Sequence, residues 1–86
     1  MSRRDKLKRR FLTRRADFTY AEMSRLLKGF GYEETKTGKT AGSRMAFINK
    51  TSSHIIRLHK PHPGNVMKKY QMDLVAEALR SKGMIE

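Results

Sequence analysis

The sequence predicts an α+β fold in which a helix, a three-stranded antiparallel sheet and a second helix follow one another along the chain. Two segments carry apolar residues at the three- and four-residue spacing of a buried helical face, and three short segments between them have the composition of strands. Polar turns, one of them with two glycines, separate these strands. The 86 residues allow one domain, in which both helices cover a single apolar face of the sheet.

The first predicted helix has a well-defined start. Thr19 and Glu22 form the pattern of a capping box, in which each side chain binds the backbone amide of the other, and Phe18 and Met23 form a hydrophobic staple around it. Apolar residues at 23, 26, 27 and 30 share one face, and glycines at 29 and 31 favour a left-handed helix end. The pattern predicts a helix over residues 20 to 28.

Three segments are predicted to be strands. Residues 32 to 36 are polar and suit an edge strand, and a turn over 37 to 42 leads to a mostly buried strand over 43 to 49. Residues 54 to 59 alternate strictly, with Ile56, Leu58 and His54 on one face and Ile55, Arg57 and His59 on the other. The third strand therefore has one face for the core and one for another role.

The second predicted helix follows a stiff loop. Pro61 and Pro63 exclude regular structure over residues 60 to 65, because proline lacks a backbone donor and restricts the residue before it. Apolar residues at 72, 75, 76 and 79 recur at helical spacing, and Gly83 provides a stop. We therefore expect a helix over residues 69 to 82, with Met84 and Ile85 packing back onto the core.

Positive charge is concentrated at the N-terminus. Lys and Arg number 20 against 8 Asp and Glu, for a net charge of +12, and residues 1 to 15 contribute eight cations and one Asp. This density favours a frayed basic arm over residues 1 to 16, whereas the spacing of Leu7, Phe11 and Leu12 allows a short helix that docks one apolar edge. So large a charge points to a polyanionic partner, and a nucleic acid is the natural candidate.

Composition excludes several kinds of site and location. The sequence has no Cys, which removes disulfides, thiolate metal sites and cysteine nucleophiles and fits a reducing compartment. No apolar run is long enough to span a bilayer, and no apolar stretch follows the basic N-terminus as in a secretory signal. We expect a cytoplasmic protein that needs no cofactor and binds neither a membrane nor a small-molecule ligand.

Three histidines provide the residues that can transfer protons near neutral pH: His54, His59 and His62, grouped around the end of the third strand. A phosphodiester held by nearby cations would meet an imidazole beside the rigid Pro61, which suits RNA cleavage by a base, a stabilising cation and an acid. The same histidines are also compatible with simple phosphate contacts or helix caps. No metal site is predicted, because neither a thiol nor a nearby carboxylate completes a ligand set.

Five cations accompany the histidines as candidate RNA contacts. They lie at the start of the second strand, beside the histidines and before the second helix: Arg44, Arg57, Lys60, Lys68 and Lys69. Each is also compatible with ordinary solvated surface charge. Tyr70 could stack a base, although burial against the helices is the more usual role for an aromatic residue in such a segment.

Five segments carry a family resemblance by their order and spacing: Phe18 to Glu22, Leu26 to Tyr32, Gly42 to Arg44, Arg57 to Asn65 and Leu79 to Ile85. Together they resemble the HicA family of bacterial toxins, with residues 17 to 86 as the HicA-like domain. The resemblance implies a double-stranded-RNA-binding-domain-like fold and a metal-independent mRNA endoribonuclease. It also implies a HicB-like antitoxin protein as partner, covering the active site.

One position departs from the family pattern. HicA proteins carry a catalytic histidine directly after Gly-Ser on the second strand, and this chain has Arg44 there. Either His59 or His62 has taken over catalysis with Arg44 as a phosphate clamp, or the protein is a non-catalytic RNA-binding module. We favour His59 as the catalytic residue, because strand alternation places it on the same face as Arg57.

Overall fold

A computed structural model describes residues 3–14, 16–36, 44–61 and 64–85. Its elements follow one another in the order α1 (Arg3–Leu12), α2 (Tyr20–Gly29), β1 (Tyr32–Lys36), β2 (Arg44–Asn49), β3 (Ile55–His59) and α3 (Lys69–Ser81). The predicted α+β class and the order of helix, antiparallel sheet and helix are confirmed, with α1 in front of them. The predicted turn over 37 to 42 lies outside the described residues.

The start of α2 has the predicted capping box. The hydroxyl of Thr19 accepts a hydrogen bond from the Glu22 amide at 3.2 Å, and the Glu22 carboxylate accepts one from the Thr19 amide at 3.0 Å. Phe18 and Met23, the predicted staple, are both fully buried. The helix ends before Gly31, whose φ of +94° is the left-handed conformation that glycine adopts most readily.

The sheet is antiparallel with the strand order β1-β2-β3. Along β3, Ile56 and Leu58 are buried while Ile55, Arg57 and His59 are exposed, which confirms the predicted alternation. The buried face packs against α2 at β1 and against α3 at β3. We call the opposite face, which carries Ile55, Arg57 and His59, the open face.

The N-terminal segment is a helix rather than a frayed arm. Phe11 of α1 is fully buried, and its ring centroid lies 5.8 Å from that of Phe18. Arg10 forms an ion pair with Glu22 at 3.0 Å, and Arg14 forms one with Asp73 at 2.7 Å. Burial of the Phe11 ring and these two pairs therefore outweigh the repulsion among the cations of the segment.

The remaining helix packs as the periodicity predicts. The stripe at 72, 75, 76 and 79 of α3 is buried, Ile85 returns to the core, and Gly83 takes a positive φ of +72° after the last turn. The core is a single cluster with contributions from all the helices and strands. Among the described residues, no helix is long and apolar enough to cross a membrane.

A short β-bridge fixes the loop between β3 and α3. Thr19 and Val66 form the bridge, the Tyr20 amide donates to the Asn65 carbonyl at 2.8 Å, and the Met67 amide donates to the Phe18 carbonyl at 2.7 Å. Met67 is thereby buried. The bridge brings the start of α3 next to the start of α2, at the end of the sheet where β3 finishes.

Candidate nucleic-acid interface

Most of the predicted site residues lie at one end of the sheet. β2 begins at Arg44 and β3 ends at His59, and these two residues are direct partners in the antiparallel register. The first turn of α3 contacts the same place through Gln71. We call this region the sheet end, and it is defined by the predicted site residues that it holds: Arg44, Arg57, His59, Lys60, Lys68 and Lys69.

His59 combines a fixed backbone with an accessible ring. Its amide donates to Oε1 of Gln71 at 2.8 Å, and its carbonyl accepts from Nε2 of Gln71 at 3.1 Å. Gln71 is only 4% exposed, so its amide group substitutes for a neighbouring strand along the outer edge of β3. The His59 side chain is exposed and therefore free to meet a ligand.

Arg57 lies two residues before His59 on the open face and is exposed. Its partner across the sheet is Ala46, which is buried and whose side chain is a single methyl group. A guanidinium and an imidazole thus share one strand face at the spacing of alternate residues, about 7 Å along the strand. That separation suits two contacts to one phosphodiester and its ribose.

Two predicted site residues are described only in part or not at all. The backbone of Arg44 is opposite His59 in the register, while its side chain lies outside the described residues. His62 lies outside them entirely. Their predicted roles as phosphate clamp and as second catalytic histidine stay predictions.

Lys60 is directed away from the open face. Its Nζ lies 5.6 Å from the centroid of the Tyr20 ring, in a cation–π contact at the start of α2. The Tyr20 hydroxyl donates to the carboxylate of Glu34, and burial together with this carboxylate raises the pKa of Tyr20. The structure therefore places Lys60 around the edge of the sheet from His59, on the side of the helices.

The start of α3 presents two cations and an aromatic ring. Lys68 is the N-cap residue and has no side-chain capping bond, Lys69 begins the helix, and the first turn carries no acidic residue. Tyr70 is 62% exposed, so the prediction that it is buried is wrong. The physical reason is that the buried stripe of α3 is complete without it, which leaves the ring in solvent beside both lysines.

His54 belongs to the opposite end of the sheet. Its Nδ1 lies 2.6 Å from the Tyr32 hydroxyl, and the two rings meet edge to face. Burial raises the pKa of Tyr32, so this phenol stays protonated, and the tautomer of His54 sets which of the two groups donates. Because His54 directly precedes β3 and His59 ends it, five residues of extended chain separate them by about 16 Å. The two histidines are close in sequence, but the extended chain between them places them at opposite ends of the sheet.

Sequence reasoning missed Gln71. The sequence does show a polar residue at 71 next to Met72 and about one helical turn before Val75, and both of these apolar residues are buried. A buried amide needs partners, but periodicity alone does not reveal that the partners are both backbone groups of His59. Tyr20 and Glu34 were also missed as the pair beneath Lys60.

The chemistry available at the sheet end is phosphate binding with one accessible imidazole. Within the described residues, no three carboxylate, imidazole or thiol groups come close enough to hold a metal ion. Comparison with protein-family models, with curated proteins and with solved structures finds no match for this chain. Membership of the HicA family therefore stays a prediction that the motifs carry.

Proposed function

We propose that the protein is a metal-independent endoribonuclease that cleaves mRNA at the sheet end. The observation that supports this best is the pairing of Arg44 with His59 in the register, with the backbone amide and carbonyl of His59 both bound by Gln71. Positioning of a base against a bound phosphodiester contributes strongly to catalysis. Arg57 on the same strand face supplies a cation next to that base.

In the proposed reaction, neutral His59 removes the proton of a ribose 2′-hydroxyl. The resulting oxygen attacks the adjacent phosphorus, the bond from phosphorus to the 5′-oxygen breaks, and a 2′,3′-cyclic phosphate remains on one product. The departing 5′-oxygen takes a proton from water or from His62. Arg57 and Arg44 neutralise the extra negative charge of the phosphorane, which is the charge that forms only in the transition state.

The test uses purified protein, single-stranded mRNA and excess EDTA. We expect cleavage that leaves cyclic phosphate ends, that His59→Gln abolishes, and that a 2′-deoxy substitution at the cut nucleotide blocks. His54→Gln is the matched control, because it makes the same change at the far end of β3, and we expect it to keep cleaving once its folding has been checked. Absence of cleavage by the wild type, or full cleavage by His59→Gln, contradicts the proposal.

A second candidate function is RNA binding without cleavage. It is favoured by the exposed ring of Tyr70 beside Lys68 and Lys69, since an aromatic platform with adjacent cations binds single-stranded RNA without any proton transfer. This alternative predicts salt-dependent binding through the sheet end and intact RNA after long incubation. Production of cyclic phosphate ends separates it from the first candidate.

We further propose that this activity is that of a bacterial toxin acting in the cytoplasm and neutralised by a HicB-like antitoxin. The motif resemblance supports the pairing, and the partly exposed Ile55 beside Arg57 gives a protein partner apolar surface to cover on the open face. Induced expression of the chain alone should arrest bacterial growth. Co-expression of a small acidic protein encoded next to it should restore growth, and unrestricted growth in the first case contradicts the toxin role.

A further inference from the structure

A second concentration of charge lies away from the sheet end, in a groove between α1 and α2. Its walls carry four cations, one carboxylate and one apolar side chain: Lys6, Arg10, Arg25, Lys28, Glu22 and Leu7. Lys6 and Arg10 come from one helix and Arg25 and Lys28 from the other. We call this the α1–α2 groove.

The one carboxylate that lines the α1–α2 groove, Glu22, already has partners within the protein. Glu22 closes the capping box with Thr19 and binds Arg10 at 3.0 Å, and Arg10 also lies 3.4 Å from Asp17. The three other cations, Lys6, Arg25 and Lys28, form no ion pair within the described part of the chain. All three are exposed. The groove therefore presents three positive charges that no described residue neutralises in an ion pair.

Like charges from two helices face each other across this groove, which costs electrostatic energy. The fold maintains that arrangement because Phe11 is fully buried in the core and Arg10 is tied to Glu22. An anion placed between the helices would relieve the repulsion and neutralise both walls. A chain of phosphates is the anion that matches cations spread along a groove.

We propose that the α1–α2 groove binds the phosphate backbone of RNA as a second contact area, separate from the sheet end. The inference rests on the proposed function only in taking the same ligand, and it does not depend on cleavage. An acidic protein segment is the alternative occupant. The groove favours RNA because Leu7, half-buried, is its one apolar side chain, whereas protein interfaces centre on apolar and aromatic contacts and nucleic-acid interfaces are polar and strongly positive.

The test compares double variants by the salt dependence of their binding to a labelled 2′-O-methyl RNA, which cannot be cleaved through its 2′-oxygen. K6Q/K28Q removes one cation from each wall of the groove. Arg57→Gln with Lys68→Gln removes two exposed cations from the sheet end. K50Q/K82Q is the control for total charge, since it removes two exposed lysines that line neither surface; Lys50 pairs with Glu33 at 3.2 Å, but such an exposed pair contributes little to stability.

We expect K6Q/K28Q to bind the RNA several-fold more weakly and to lower the slope of log affinity against log salt by roughly 1.4, at about 0.7 per contact for single strands. The control should retain the wild-type slope. K6Q/K28Q should unfold at a temperature no lower than that of the wild type, because it removes repulsion rather than packing.

The outcomes distinguish the two proposals. A wild-type slope for K6Q/K28Q with a weakened sheet-end variant overturns the groove and leaves the proposed function in place. A lower slope for K6Q/K28Q with a wild-type slope for the sheet-end variant supports RNA binding in the groove and contradicts RNA binding at the sheet end. If K6Q/K28Q instead loses affinity only for polyglutamate, tested in parallel, the occupant is an acidic protein segment and the RNA inference is wrong.

Discussion

The side chain of Gln71 holds the backbone of His59 by two hydrogen bonds: Oε1 of Gln71 accepts from the His59 amide at 2.8 Å, and Nε2 of Gln71 donates to the His59 carbonyl at 3.1 Å. A buried helix residue thus completes the edge of the sheet at the residue proposed to act as the base. The imidazole itself remains in solvent. Rigidity of the strand and access to the ring are therefore supplied by different parts of the same residue.

Replacement of Gln71 by methionine tests this arrangement. Methionine keeps the volume of the side chain but leaves two backbone groups of His59 without partners, which we expect to cost about 1–3 kcal/mol. For a domain of this size each kcal/mol lowers the melting temperature by roughly 4–8 °C. Thermal unfolding and amide exchange at His59 measure the change.

The rate of RNA cleavage is a more specific test of the same variant than its stability. Below its melting temperature, Gln71→Met should cleave RNA more slowly while binding it almost as tightly, because it disturbs the position of the base and not the cations. Glu77→Met, at an exposed position of the same helix, is the control and should leave both properties unchanged. Faster exchange without any loss of rate would show that the clamp is structural only.

The burial of Phe11 predicts that α1 is required for stability. Phe11→Ala removes a fully buried ring that lies against Phe18, and such truncations cost about 3–5 kcal/mol. That loss is a large part of the stability of a small domain. Chemical denaturation should give a much lower midpoint for this variant.

Leu12→Ala is the matched control, because the neighbouring Leu12 is 41% exposed and its truncation should change the midpoint little. A frayed arm would make the two variants indistinguishable. Equal midpoints would therefore contradict the docking of α1 on the core.

The lowered pKa of Glu22 predicts that the protein loses stability in acid. Desolvation favours the neutral carboxyl, but hydrogen bonds from the Thr19 backbone and from Arg10, with the charge of Arg10, outweigh it and lower the pKa of Glu22 below its ordinary value of 4.5. A carboxylate with a lowered pKa stabilises the fold fully above its unfolded pKa. That contribution is lost as the pH falls through the folded pKa.

The measurement is the free energy of unfolding from neutral pH down to below 4.5. Glu22→Gln keeps the capping hydrogen bond to Thr19 but has no charge to titrate, so its stability should fall less steeply with acid than that of the wild type. Glu77→Gln, at an exposed site, should keep the wild-type slope. Parallel acid slopes for wild type and Glu22→Gln would show that the pair with Arg10 adds nothing.

The parts of the fold that could be predicted from sequence are those set by neighbouring residues. The capping box of Thr19 and Glu22 is a contact over three residues, and the alternation of Ile56 and Leu58 with Arg57 and His59 follows from the period of a strand. Both are confirmed because local geometry leaves the chain little choice.

What could not be predicted depends on contacts between distant segments. The clamp of Gln71 on His59 spans twelve residues, and the docking of α1 depends on Phe11 meeting Phe18. Lys60 was grouped with His59 because the two are adjacent, but successive residues of an extended chain point to opposite sides. Composition indicated the charge of the surface without indicating its division between the sheet end and the α1–α2 groove.

Tyr70 predicts a stacking contact at the start of α3. Its ring is 62% exposed and follows Lys68 and Lys69, so a base can lie on it while the lysines hold the adjoining phosphates. Loss of one stacked base costs about 1–3 kcal/mol, which corresponds to a roughly 5- to 150-fold weaker affinity.

Tyr70→Ala should show this loss in a titration of labelled single-stranded RNA, whereas Tyr70→Phe should bind nearly as the wild type does because the stacking face is kept. Leu74→Ala removes another exposed apolar side chain one turn further along α3, where it is 50% exposed, and should leave RNA affinity unchanged. Because neither side chain is buried, the melting temperatures of the three variants should stay close to that of the wild type. Equal losses of affinity for Tyr70→Ala and Leu74→Ala would assign the effect to general surface change instead of stacking.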